Sequence, residues 1–241
     1  MTNSKLHSAI EGARDTLPLV FAAIPFGIVY GALAHAQGLP NWVILAISML
    51  VFAGSAQFIA IILVSSGATL PVIVLTVFVV NLRHLLYAVS LIPYVKKFSQ
   101  SLRLPMAFTL TDETFAVVYN QATRDNPTPH FAHYYLGSAA FMYLNWQLCT
   151  WIGLVAGNRF PELTSFGLDI AMVVAFIGIV VPHLKMPSHW ACALVAALSG
   201  TLTYDWPNQS GLLFSAVIAI ISGVMLENAF NKKIITKKEI S

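Results

Sequence analysis

Charged side chains are scarce in this sequence of 241 residues: Asp, Glu, Lys and Arg together make up 10%, against about 25% in a soluble domain. That scarcity excludes an ordinary water-facing surface. Cysteine is scarcer still. Cys149 and Cys192 each stand inside an apolar run, form no CxxC pair or zinc spacing, and read as small packing residues. Period-two alternation is missing, which excludes spanning β-strands. No Walker loop, nucleophile elbow or paired catalytic His–Glu motif occurs. The basic residues behind the net charge of +3 cluster at the ends of apolar runs, where membrane proteins carry them. Nothing points to nucleic acid, a metal or a cofactor.

What is present is apolar: 57% of the residues are hydrophobic. A helix crossing a bilayer needs about 20 consecutive apolar residues. Runs at about 17–36, 42–64, 70–93, 132–156, 166–183, 188–204 and 211–229 meet or approach that length. The fold class is therefore an all-α polytopic integral membrane protein of about seven hydrophobic helices, some broken or re-entrant. Residues 1–16 read as an interfacial helix, 17–93 as a first membrane half and 94–131 as a cytoplasmic or re-entrant segment. Residues 132–230 read as a second membrane half and 231–241 as a basic cytoplasmic tail. The first run holds Pro18, Pro25 and Gly27, and Glu11 and Asp15 precede it beside Lys5 and Arg14. It reads as a retained helix rather than a cleaved signal, with a kink or break at Pro25 and Gly27.

Lysines and arginines orient the runs. The tail carries Lys232, Lys233, Lys237 and Lys238 and is expected inside. Counting back, Lys185, residues 122–131, Lys96, Lys97 and Arg103 also fall inside. Residues 105–121 are then re-entrant or interfacial. The same count puts the N-terminus outside, whereas Lys5 and Arg14 favour inside. Either one of the first three runs does not cross, or the N-terminus faces out.

Three apolar runs carry polar residues. "VVNLRHLLYAVS", 79–90, places Asn81, Arg83, His84 and Tyr87 within one run. An arginine at a helix centre costs about 2.5–3.5 kcal/mol on insertion scales, so it faces protein or a wet cavity. Its expected partner is a carboxylate: Asp112 or Glu113 of "TLTDETF", or Asp169 of "FGLDIAMVVAF". His84 reads equally as a structural histidine or a proton carrier, and Tyr87 as a packing residue with a polar tip. Thr111 reads as the cap of a helix that Asp112 and Glu113 open. "FAGSAQF", 52–58, contains Gly54 and Ser55, small residues suited to close helix packing or a broken helix. It also contains Gln57, whose amide needs a partner in lipid. A Ser55–His84 hydrolytic dyad and a passive channel are the rivals to a transport site. "FGIVYGALAHAQGLP", 26–40, echoes "WIGLVAGNRFPEL", 151–163, in glycine spacing and following proline, so two structural repeats are an option.

These motifs carry a resemblance that covers about residues 10–230. "PFGIVYG" at 25–31, "FAGSAQF" at 52–58, "VNLRHLLYAVSL" at 80–91, "LTDETFA" at 110–116 and "GLDIAMVVAFIGIVVP" at 167–182 resemble the AzlC family of branched-chain amino acid transport proteins. The resemblance implies a permease subunit of the bacterial cytoplasmic (inner) membrane, not an enzyme. It implies export of valine, leucine or isoleucine, ion or proton coupling, and a small AzlD-like membrane partner. Some relatives carry Asp where this chain has Asn81. Coupling here would then rest on His84, Asp112, Glu113 or Asp169.

Overall fold

A computed structural model describes residues 5–159, 177, 181, 184–206 and 210–239. The described residues form nine helices: α1 (Lys5–Ala36), α2 (Asn41–Leu50), α3 (Gly54–Ser65), α4 (Leu70–Val95), α5 (Gln100–Phe108), α6 (Asp112–Ala122), α7 (Phe131–Arg159), α8 (Pro187–Leu202) and α9 (Ser210–Glu239). Among them, α1 and α4 are long and apolar enough to cross a membrane. The chain divides into two compact units, one of Met1–Ile61 with Val77–Met172, the other of Ile62–Thr76 with Val173–Ser241.

The first unit is built on α1 and α7, which lie side by side and parallel. Contact points climb together along both helices: Gly12 meets Tyr134, Thr16 meets Ser138, and Gly31 meets Thr150. Glycine lets the two backbones touch. A Cβ on Gly12 would sit 2.1 Å from the Tyr134 carbonyl oxygen, and one on Gly153 would sit 2.0 Å from that of Ile28. With little hydrophobic drive between helices in lipid, such approach is how they gain packing. The described part of the second echoing segment, 151–159, meets the first, 26–40, through Gly153 on Ile28 and Gly157 on Ala32 and His35. Residues 5–16 are not a separate helix but the first turns of α1. Nor does α1 break at Pro25 and Gly27: the helix continues through both. Pro25 is exposed, and Gly27 lies against Cys149 and Trp146.

The break falls instead in the second apolar run, between α2 and α3 at 51–53. Ending a helix among apolar neighbours leaves orphan carbonyls, and each needs an internal partner. Gln147 Nε2 donates to the Ser48 carbonyl (3.0 Å), Tyr143 Oη to Met49 (3.2 Å) and Gln57 Nε2 to Val51 (2.6 Å). The chain turns back at this point. Ile44 before the break accepts from the Tyr30 hydroxyl (3.1 Å), and Phe58 after it packs edge-on against the same ring (6.0 Å). α2 and α3 thus form a hairpin whose tip carries Phe52.

A second hairpin approaches from the opposite end. Along α5, the Met106 carbonyl accepts from Tyr135 (2.8 Å) and Phe108 lies beside Tyr143 (6.1 Å), so the helix climbs α7. Thr111 then caps α6, accepting from the Thr114 amide (3.3 Å), with Asp112 and Glu113 in the first turn, where the helix dipole favours acids. α6 descends: Phe115 stacks on Tyr87 (4.5 Å) and Tyr119 stands beside Tyr94 (6.4 Å). Leu91, Met106, Val118 and Tyr135 fix α4 through α7 in one apolar cluster. The two tips converge on Tyr143, whose ring is 5.0 Å from Phe52 and 6.1 Å from Phe108. Tyr143 lies twelve residues into α7, about 18 Å from its start.

In the second unit, α8 and α9 pack antiparallel, Gly211 against Thr203 and Gly223 against Cys192. α9 runs to Glu239, so the basic tail expected from residue 231 prolongs the last helix.

Candidate functional site

Arg83 joins the two tips. On α4, Leu82, Leu85, Leu86, Val89 and Ile92 form an exposed aliphatic face. Arg83, His84 and Tyr87 are half-buried, and Leu91 is buried. The guanidinium thus turns from the apolar face toward protein, as its solvation cost demands. Its Nη1 pairs with Asp112 Oδ2 at 2.5 Å, and its Nη2 donates to Ser55 Oγ at 2.7 Å. Asp112 opens α6 and Ser55 lies in the first turn of α3. One side chain therefore binds the N-terminal turn of the second arm in each hairpin.

The pair is incompletely satisfied. Arg83 Nε and Asp112 Oδ1 are buried without a well-aligned hydrogen bond among the described residues, with the Tyr87 hydroxyl beside the Asp112 carboxylate. Asn81 Oδ1 is in the same condition. A buried polar atom without a partner costs about 1–3 kcal/mol, so this is a place where a ligand gains by binding. The side chains of Arg83 and Asp112 retain 28% and 26% exposure, which leaves the pair reachable.

Gln57 is fully buried but serves elsewhere. Its Oε1 accepts from Trp146 Nε1 (3.0 Å) while its Nε2 holds the Val51 carbonyl. Trp146 in turn fills the space over Gly54, where a Cβ would fall 2.9 Å from the indole. Gly54 and Gln57 therefore shape the tip from behind, and Arg83 and Asp112 face it. His84 stands edge-on to Tyr87 (5.9 Å). Ser55 bonds to Arg83 rather than His84, so no Ser–His dyad forms. Glu113 is half-buried beside Asp112, and Thr111 is buried as the cap. Asp169 lies outside the described residues. The sequence reading passed over Asn145, Trp146 and Gln147. Their signal was three successive hydrogen-bonding residues inside an apolar run, and Asn145 Nδ2 and Gln147 Oε1 are buried without partners.

Residues 18–160, which hold every described side chain of this site, match the family described as AzlC protein. The chain belongs to the AzlC family. It is 28% identical over 228 residues to the inner membrane protein YgaZ of Escherichia coli K12, covering 90% of this chain and 86% of that protein. It is 26% identical over 242 residues to the branched-chain amino acid transport protein AzlC of Bacillus subtilis 168, covering 99% and 91%. An uncharacterized membrane protein of Archaeoglobus fulgidus is 32% identical over 179 residues, covering 73% and 75%. No solved structure matches. This AzlC-family chain is a membrane protein.

Proposed function

We propose that this protein is the permease subunit of an exporter of branched-chain amino acids, and that Arg83 and Asp112 hold the amino acid between the hairpin tips. One observation carries the reading: a buried donor, Arg83 Nε, and a buried acceptor, Asp112 Oδ1, lie without a well-aligned hydrogen bond on one ion pair. A zwitterion supplies the complement, its carboxylate to the guanidinium and its ammonium to the aspartate. Phe52, Phe108 and Tyr143 lie at the tips to enclose an aliphatic end. A relative bears the name of a branched-chain amino acid transport protein, which supports this substrate class.

In the bilayer, α1, α4 and α7 cross, and the two hairpins dip from opposite faces to the midplane. Irregular backbone at that depth is tolerated only where protein or a cavity surrounds it, as at 51–53 and 109–111. The second apolar run then does not cross, and the count from the lysines returns the N-terminus to the cytoplasm. Lys5, Arg14, Lys96, Lys97 and Arg124 gather at that end. The parallel seating of the echoing segments supports two repeats related by an axis along the membrane normal. His84 and Glu113, beside the pair, are the groups for proton coupling. An AzlD-like small membrane protein completes the transporter in a bacterial cytoplasmic membrane.

The test is accumulation of labelled leucine by proteoliposomes under an imposed ion or pH gradient. Isovalerate and isoamylamine, which lack the ammonium and the carboxylate respectively, are the competitors. The expected result is concentrative uptake, with each analogue competing at least about tenfold more weakly than valine. Equilibration without accumulation would support a channel instead.

A further inference from the structure

A cavity of about 340 Å³ lies apart from the hairpin tips, where the lower parts of α1, α6 and α7 meet. Pockets that take small ligands run about 300–1,000 Å³. Arg14 and Asp15 of α1, Val117 and Asn120 of α6, Arg124 just beyond α6, and Tyr134 of α7 line it. Neither guanidinium makes an ion pair or hydrogen bond among the described residues. The carboxylate, by contrast, is fixed: the buried Tyr134 hydroxyl donates to Asp15 Oδ2 at 2.6 Å.

We propose that this cavity is a cytoplasmic loading site for the head group of a zwitterionic amino acid, with Arg14 and Arg124 taking the carboxylate and Asp15 the ammonium. The proposal rests on the permease reading and adds a second substrate site to it. Two solvent-exposed guanidiniums suit a carboxylate, which their planar forks grip at two points. An anionic lipid phosphate would use the arginines but gain nothing from Asp15, whose charge would repel it. Val117 offers an apolar wall for the side chain. The location fits a loading role. The cavity opens at the end where the basic residues gather, and α6 connects it to the central pair. Asp112 begins that helix and Asn120 lies eight residues on, a separation of about 12 Å.

Kinetics of leucine transport in proteoliposomes test this, comparing wild type, R14Q/R124Q, D15N and R14K/R124K. The vesicles are neutral phosphatidylcholine, with or without anionic phosphatidylglycerol. The expected result is a KM raised about tenfold or more in R14Q/R124Q, with kcat within twofold of wild type, in both lipid mixtures. D15N shifts KM the same way. R14K/R124K, which keeps the charge, covers the case in which the glutamine variant fails to fold. It should raise KM by a smaller factor. An unchanged KM in these variants overturns the loading site and leaves the permease reading intact. A KM effect confined to anionic vesicles also overturns it, in favour of a lipid phosphate site. A wild-type protein that moves no leucine overturns the permease reading itself, and the loading site with it.

Discussion

Arg83 sits one residue from a stripe of exposed leucines, and its stability there depends on two partners drawn from different hairpins. The need for a carboxylate was legible in the sequence, because a guanidinium deep in an apolar run has few other ways to be solvated. Ser55 was not legible, because a serine beside a glycine in a membrane run reads as close packing. Gln57 behaves differently. Both ends of its amide are engaged, so Gln57→Leu strands the Trp146 indole and the Val51 carbonyl. We predict a loss on the order of 2–4 kcal/mol for these two orphaned groups, read as a lower unfolding temperature in detergent. A variant as stable as wild type would contradict the assignment. At the central pair, R83Q/D112N replaces both charges together and strands neither. It should therefore reach the membrane in near-normal amount while transporting nothing, a combination read by quantitative blotting and leucine uptake.

At the scale of elements, glycine informs more than proline. Pro25 and Gly27 predict a kink or a break in the first helix; α1 does not break there, and α7 packs along it at Gly27. The actual break at 51–53 lies in a run with no proline, directly before Gly54 and Ser55, small residues that allow either close packing or a broken helix. It exists because Gln57, Tyr143 and Gln147, distant in sequence, take up the freed carbonyls of α2. Such long-range satisfaction has no local signature. The Thr111 cap, by contrast, is a local motif, and the residues foreseen as capping are the ones that cap. Two substitutions separate the roles of the glycines. Gly153→Leu pushes a side chain into the Ile28 backbone, which has nowhere to go, and should abolish a monodisperse protein on size-exclusion chromatography. Gly54→Leu meets only the Trp146 ring. It should leave a folded protein whose uptake falls by about tenfold or more, since a misplacement of about 1 Å at a site is worth that much.

For the whole molecule, hydropathy counts about seven apolar runs, whereas the proposed arrangement has three crossings, α1, α4 and α7, with two hairpins between them. This arrangement makes a sidedness prediction. Cysteines placed at residues 97 and 126 should react with an impermeant maleimide from the cytoplasmic face, as should one at residue 5. One placed at residue 38 should react from outside. Reaction of residues 5 and 38 from the same face would rule out α1 as a crossing. The central claim is that the Arg83–Asp112 pair binds substrate rather than merely holding the hairpins together. It is tested most directly by measuring membrane protein and valine efflux side by side for Arg83→Ala and Arg83→Lys. Both variants should be present in the membrane, the alanine variant should export no valine, and lysine, a point charge without the planar fork, should restore little. Normal valine efflux from Arg83→Ala would contradict it.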